Sequence, residues 1–358
     1  MPTFSSSRPG YKYVRPLLSY VFRRRMLALI LAVLFLHVIY RLLDIDFEAL
    51  NPRSIRYLAV QEERSHEAWL QEIQRRKDLI KSVCLKYNMY TRKLGLDDYK
   101  HLFAEDNHQV LFCRVPTICN TNWKRVLLIM SGKLNESFVW SQPDNQIHYV
   151  LWAKYVTQLN TLPEAEIEKL LKSYLKFFFL RNPFERLLSS YRTKVENFDP
   201  EHPVIAAEVG NYVLVNYRKM APIFPERKQI KLVDGVYHIE PSAVMAFQKS
   251  NITFEEFLRY VADHKDNPDR HWDLPHSLCH PCGIEYDVVG YYDTIEEDAR
   301  NILKMAKADP GLVYPPRTKL EMPTSELMPE YYGKVSEDTL SRIRTMYEVD
   351  ADMANAKI

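Results

Sequence analysis

Residues 176–192, Lys-Phe-Phe-Phe-Leu-Arg-Asn-Pro-Phe-Glu-Arg-Leu-Leu-Ser-Ser-Tyr-Arg, constrain the fold of this chain more than any other stretch. The apolar, aromatic run 177–180 has the composition of a buried strand, because such side chains fit a pleated surface covered by neighbours. It stops at Arg181-Asn182-Pro183. Asn182 suits an N-cap, Pro183 the first helical position and Glu185 position N3, so a helix is expected to start there. The unit reads as strand, tight turn bearing an arginine, and helix, with Ser189 two turns beyond Arg181. A helix N-terminus beside a guanidinium and a hydroxyl presents N–H donors and positive charge to a phosphate. An arginine that only finishes a strand has the same spacing, so the unit alone leaves both readings open.

The rest of the chain repeats this alternation. Residues 110–115 predict a strand, 121–131 a helix closed by Gly132, 162–176 an amphipathic helix leading into the aromatic strand, and 254–264 a further helix. Residues 286–292 predict a strand, Thr294 with Glu297 a capping box at the start of a helix, and 336–353 a closing helix. Strands alternating with helices imply an α/β fold with a mainly parallel sheet flanked by helices. Upstream, Leu58, Trp69, Ile73, Ile80 and Val83 recur at helical spacing among dense charges. Without sustained heptads, this is expected to be a solvated helical stem rather than a coiled coil.

The N-terminus points to a membrane. Arg8, Lys12, Arg15, Arg23, Arg24 and Arg25 precede an apolar run from Met26 to Tyr40, extended by Leu42 and Leu43, and no acidic residue interrupts the first 25. About 18 residues at 1.5 Å rise span roughly 27 Å, enough for a thin bilayer. No small-residue cleavage site follows, and the basic flank lies before the span, which together predict a single-pass signal anchor with a cytosolic N-terminus and a luminal remainder. The expected organisation is a basic tail over 1–25, a transmembrane anchor over 26–43, a helical stem over 44–100 and a luminal domain over 101–358.

Six positive charges in the tail against a net charge of +2 leave the remainder near −4, which is not the balance of a nucleic-acid binder. An anionic ligand must then be held by a local basic site. Only 9 glycines occur, so no glycine-rich phosphate loop is available. The five cysteines, Cys84, Cys113, Cys119, Cys279 and Cys282, all lie on the luminal side, where disulfides are expected with one thiol left over. Cys279-His280-Pro281-Cys282 has half the spacing of a zinc site but lacks a second ligand pair, so no metal is expected. Asn135 and Asn251 open glycosylation sequons.

The arginine-turn-helix unit resembles the 3′-phosphate-binding motif of the Golgi carbohydrate sulfotransferases, in the group acting on chondroitin, dermatan or the human natural killer epitope. The resemblance implies the P-loop-like fold of that family and the sulfate donor 3′-phosphoadenosine 5′-phosphosulfate (PAPS), its 3′-phosphate held by Arg181 and Ser189. A second segment, residues 113–125, resembles the family's 5′-phosphosulfate loop, Pro-Lys-Val-(Ala/Gly)-Cys-Thr-Asn-Trp-Lys-Arg. That assigns donor contacts to Pro116, Thr117, Ile118, Cys119, Asn120, Thr121, Asn122, Trp123 and Lys124. Two positions depart from the pattern, Thr117 where the family has lysine and Asn120 where it has cysteine. The family lysine compensates charge on the leaving phosphate, and one such preorganised group is worth on the order of 3–4 kcal/mol. Arg114 and Lys124 are the candidate replacements. Whether Arg114 shares a face with Thr117 depends on where the strand ends.

Attack by a sugar hydroxyl calls for a general base. His148 matches by position the histidine that opens a family segment between the two donor motifs, and is the candidate. A third resemblance, residues 269–290 with 293–298, implies that His271 and Trp272 line the acceptor cleft, the indole offering a stacking face. A core tryptophan beside a disulfide has the same signature. Arg317 and Lys319 are further candidates for an anionic glycan or a nucleotide phosphate. The expectation is a Golgi PAPS-dependent transferase whose acceptor is a glycosaminoglycan, chondroitin- or dermatan-like, or a glycoprotein glycan. The alternatives are a weakened donor- or glycan-binding protein of the same fold and, much less, a glycosyltransferase using Asp44-Ile-Asp46 or Asp350-Ala-Asp352.

Overall fold

A computed structural model describes residues 52–118, 120–197, 203–224, 230–233, 236–238, 241–316 and 323–356 of the 358. The expected anchor at 26–43, Asp44, Asp46, Cys119, Arg317 and Lys319 lie outside them. Among the described residues, no helix is long and apolar enough to cross a membrane. The main elements are α1 (Pro52–Lys86), β1 (Leu102–Glu105), β2 (Val110–Cys113), α2 (Asn120–Met130), β3 (Thr157–Gln158), α3 (Glu164–Ser173), β4 (Leu175–Leu180) and α4 (Pro183–Tyr191). They are followed by β5 (Lys231–Val233), β6 (Val236–His238), α5 (Phe254–Asp263), β7 (Val288–Tyr291), α6 (Ile295–Met305), α7 (Thr324–Tyr332), α8 (Glu337–Met346) and α9 (Glu348–Met353).

Five strands form one sheet in the order β3-β1-β2-β4-β7, and β5 with β6 forms a separate ribbon. β2, β4 and β7 run parallel, whereas β1 pairs antiparallel with both β2 and β3. The sheet is therefore mixed rather than mainly parallel. The reason is local: only Asp106 to Gln109 separate β1 from β2, too short for a crossover, and Gln109 takes φ 54° to close the turn.

The aromatic strand sits in the middle of the sheet, covered on both faces. Alternation sends Phe177 and Phe179 to one face, 4.6 and 5.5 Å from the Trp123 ring, and Phe178 to the other, 4.5 Å from Tyr286. Gly290 stands opposite Phe179 in the β4–β7 register. A Cβ there would lie 2.2 Å from the Phe179 ring, so this glycine makes room for the central aromatic.

Contacts gather residues Ala68–Ile358 into one compact unit. Within it, α1 is a packed element and not a solvated helix without a partner. Trp69, Ile73, Ile80 and Val83 are buried, Trp69 donates its indole N–H to Asp298 at 2.7 Å, and Arg76 pairs with the same carboxylate at 2.9 Å. Two disulfides, Cys84–Cys282 and Cys113–Cys279, span separations of 198 and 166 residues. Cys279 and Cys282 thus bond to different partners.

Two other local expectations are corrected. Thr294 precedes α6 without capping it; its hydroxyl donates to Asp298 instead, at 2.7 Å. The closing helix is two, α8 and α9, broken at Tyr347, whose buried hydroxyl donates to the Trp272 carbonyl. A second apolar core, apart from the one around the sheet, joins α4, α5, α7 and α8.

Candidate active site

The parallel strands β2, β4 and β7 all end at one cleft of about 350 Å³, the usual place for a ligand in an open α/β sheet. Arg114, Pro116 and Thr117 follow β2, Arg181 follows β4 and Tyr292 follows β7; Asn120, Thr121 and Lys124 come from the start of α2, and Ser189 from α4. The two segments that resemble donor motifs are thus brought together although about 65 residues separate them. Arg181 makes the joint: its Nη1 donates to the Thr117 carbonyl at 3.1 Å and its Nη2 pairs with Glu185 at 2.6 Å, while Tyr292 lies under the guanidinium at 4.0 Å. The helix start is as the sequence predicts, with the Asn182 side chain accepting from the N–H groups of Phe184 and Glu185 and Pro183 in the first turn.

Arg186 makes a second joint, which the sequence reading missed. It is buried, and its guanidinium donates to three carbonyls, Pro116 at 3.0 Å, Asp273 at 2.5 Å and Arg270 at 3.1 Å. One arginine therefore fixes the loop after β2 against the segment carrying His271. It lies within the recognised motif, but nothing in its spacing says that it faces inward.

Thr117 holds φ 65°, a left-handed conformation that a β-branched residue adopts only under strain. Its hydroxyl turns back to the Pro116 carbonyl at 2.6 Å. Arg114 lines the same cleft because β2 has already ended at Cys113. Its guanidinium packs over Phe103, 5.2 Å from the ring centre. Burial, with Arg270 nearby, lowers its pKa to about 10. Burial, then Arg114 and Arg270, also holds the Lys124 ammonium well below its ordinary value. Two guanidiniums and a lysine amine lining one cleft favour an anion between them. The buried Nε atoms of Arg114 and Arg181 and the Oδ1 of Asn120 have no hydrogen-bond partner among the described residues. The donor set therefore fits a polyanionic ligand.

His148 also lines the cleft, on a π-helical turn, Gln146–Leu151. Both ring nitrogens meet residues of α2: Nε2 lies 3.1 Å from the Thr121 hydroxyl and Nδ1 2.9 Å from the Lys124 amine. In this arrangement the imidazole holds the lysine in place.

His271 lines the cleft as well, but Trp272 does not. The Trp272 indole is 1% exposed, packed edge-on against Phe257 at 5.2 Å and Tyr260 at 6.0 Å, so it has no face for a sugar. Trp123 and Ile118 are core residues too, and Asn122 is partly buried on α2 without lining the cleft. Lining residues not anticipated from sequence are Tyr149, Thr193, Lys194, Arg270 and Tyr292. Lys194 stands on another π-helical turn, Arg192–Glu196, which no residue pattern announces.

Asn135 and Asn251 are both exposed. Among the described residues, no cluster of metal-ligating side chains occurs. Asp350 and Asp352 are engaged elsewhere, the first by His276 at 2.8 Å and the second by Lys86 at 2.6 Å.

Residues 100–353 match the sulfotransferase family. Rat carbohydrate sulfotransferase 11 is 31% identical over 315 residues, 86% of this chain and 82% of its own. Mouse carbohydrate sulfotransferase 8 is 31% identical over 291 residues, 79% of this chain and 63% of its own. Human carbohydrate sulfotransferase 10 is 30% identical over 298 residues, 77% and 73% of the two chains. No solved structure matches.

Proposed function

The chain belongs to the sulfotransferase family and is a carbohydrate O-sulfotransferase, transferring sulfate to a glycan; from that premise we propose that its donor is PAPS and its acceptor a chondroitin- or dermatan-type glycosaminoglycan. The observation that carries the donor reading is the joint at Arg181. It binds the loop of Pro116 and Thr117 to the head of α4, so the two ends of a bisphosphorylated nucleotide can be held in one cleft.

Arg181 and Ser189 hold the 3′-phosphate. Asn120, Thr121 and the N–H groups at the start of α2 hold the phosphosulfate. In the transfer, an acceptor hydroxyl oxygen attacks sulfur in line, the bridging S–O bond breaks, and its electron pair leaves on the 5′-phosphate. Arg114 and Lys124 supply the positive charge there that a lysine at position 117 would have given. Lys194 and Arg270 remain at the cleft for acidic groups of the acceptor, which favours a uronate-bearing polymer over a neutral glycan.

We place the protein in the Golgi as a type II membrane protein. The two disulfides and the exposed sequons support a luminal, oxidising location for the domain. A second reading, a donor-binding protein with weak transfer, is favoured by Thr117 alone. Purified full-length protein incubated with sulfur-labelled PAPS and desulfated chondroitin separates the two. Label is expected in the polymer; donor binding with no label in chondroitin, dermatan or a neutral glycan would leave the binding reading.

A further inference from the structure

We propose that His271, oriented by Asp269, is the general base that deprotonates the acceptor hydroxyl, and that His148 positions Lys124. This inference rests on the transfer reading above.

The two cleft histidines differ in what their ring nitrogens touch. Those of His148 meet Thr121 and Lys124, both on the donor-binding helix. In either tautomer both ring nitrogens are engaged by α2, one by the Thr121 hydroxyl and the other by the Lys124 amine, rather than turned toward an acceptor. In His271, Nδ1 lies 2.6 Å from Asp269 Oδ1, which also accepts the His271 backbone N–H at 2.9 Å. Asp269 is held below the usual carboxylate range: burial opposes this, and the hydrogen bonds from His271 outweigh it. An ionised carboxylate only accepts, so Nδ1 carries the proton and Nε2 the lone pair. That is the tautomer a base needs, with a carboxylate behind it to stabilise the imidazolium.

The segment is also held rigidly. Ser190 donates to the His271 carbonyl at 2.8 Å and Arg186 to those of Arg270 and Asp273. Burial is the main cause that lowers the His271 pKa to about 4, and Asp269 raises it against the further lowering by Arg270 and Lys194, so the ring is neutral near neutral pH. The charged groups acting on it are Asp269 and Arg270 from its own loop and Lys194 from the turn after α4; Ser189 and Thr193 line the same cleft. In the step itself, Nε2 takes the hydroxyl proton as the sugar oxygen bonds to sulfur. The sulfur–oxygen bond to the 5′-phosphate breaks, the leaving phosphate keeps the electron pair, and the imidazolium returns its proton to water.

The test uses full-length protein, labelled PAPS and the acceptor that the wild type sulfates. His271→Ala is expected to lower kcat by about 10²–10⁴, with the affinity for 3′-phosphoadenosine 5′-phosphate changed by less than about threefold and part of the rate restored by added imidazole. His148→Ala is expected to act mainly through Lys124, with no rescue by imidazole. A His271→Ala enzyme within about fivefold of wild type, or one whose loss lies wholly in the donor KM, overturns the assignment. If His271→Ala cannot bind the nucleotide, Asp269→Asn decides. It should lower kcat about tenfold or more and move the acid limb of the pH profile downward, because the charge that raises the histidine is gone; an unmoved limb overturns the proposal. A wild type that sulfates nothing overturns the transfer reading and this inference with it, whereas an active wild type with an unaffected His271→Ala overturns this inference alone.

Discussion

Thr117 concentrates the chemistry of this protein in one position. The family lysine is missing, and the residue that replaces it is held at a positive φ with its hydroxyl on its own loop. On the proposed reading, Arg114, which enters the same cleft because β2 ends early, and Lys124, buried against His148, take over the lysine's role. Arg114→Gln should therefore lower kcat by about 10²–10³ while nucleotide affinity changes little, the signature of a contact made in the transition state. Thr117→Lys should change kcat by less than about tenfold, since the charge is already supplied. Steady-state rates of the two variants check this; a large gain from Thr117→Lys with no loss from Arg114→Gln would show that neither arginine nor buried lysine fills the role. That Arg181, Ser189 and the loop at Pro116 share a cleft was legible because motifs retain residue order. Arg186, Arg270 and Lys194 were not, because side-chain direction depends on how separate segments pack.

At the scale of elements, the strand-to-helix unit formed as its residues dictate: apolar strand, Asn cap, proline in the first turn. The misread elements have separate causes. The first strand pair is antiparallel because of a short turn, and α1 is a buried partner of α6 because Trp69 and Arg76 reach Asp298. Asp298 is fully buried and accepts from Trp69, Arg76, Thr294 and the Tyr291 backbone N–H. Asp298→Ala should cost about 3–5 kcal/mol, because it leaves the Arg76 guanidinium buried without its carboxylate. Thermal or denaturant unfolding measures this. A loss under about 1 kcal/mol would mean that α1 contributes little to the stability of the unit.

For the whole molecule, burial of histidines makes stability depend on pH. Burial is the main cause that lowers His101 to about 3 and His271 to about 4, and it also lowers His280. For His276, burial acts the same way, but Asp350 outweighs it and raises the pKa. The depressed groups stay neutral in the folded state while the unfolded chain takes up protons below 6.5. Their contribution is complete above that value and falls as the pH drops, by up to about 1.4 kcal/mol per unit for each group. His276 works in the opposite sense, so the net expectation is a melting temperature that declines from about pH 6.5 toward pH 4. Melting curves across that range test it, and a flat profile would refute it. The sequence alone determined the family motifs, the alternation of strand and helix and the cap at Asn182, because these depend on residue order and local backbone preference. Only the tertiary structure decided that Trp272 is core, that His148 holds a lysine, that Asp269 backs His271, and which cysteines pair. Each of these turns on which side chains meet across long separations, and packing settles that, not spacing.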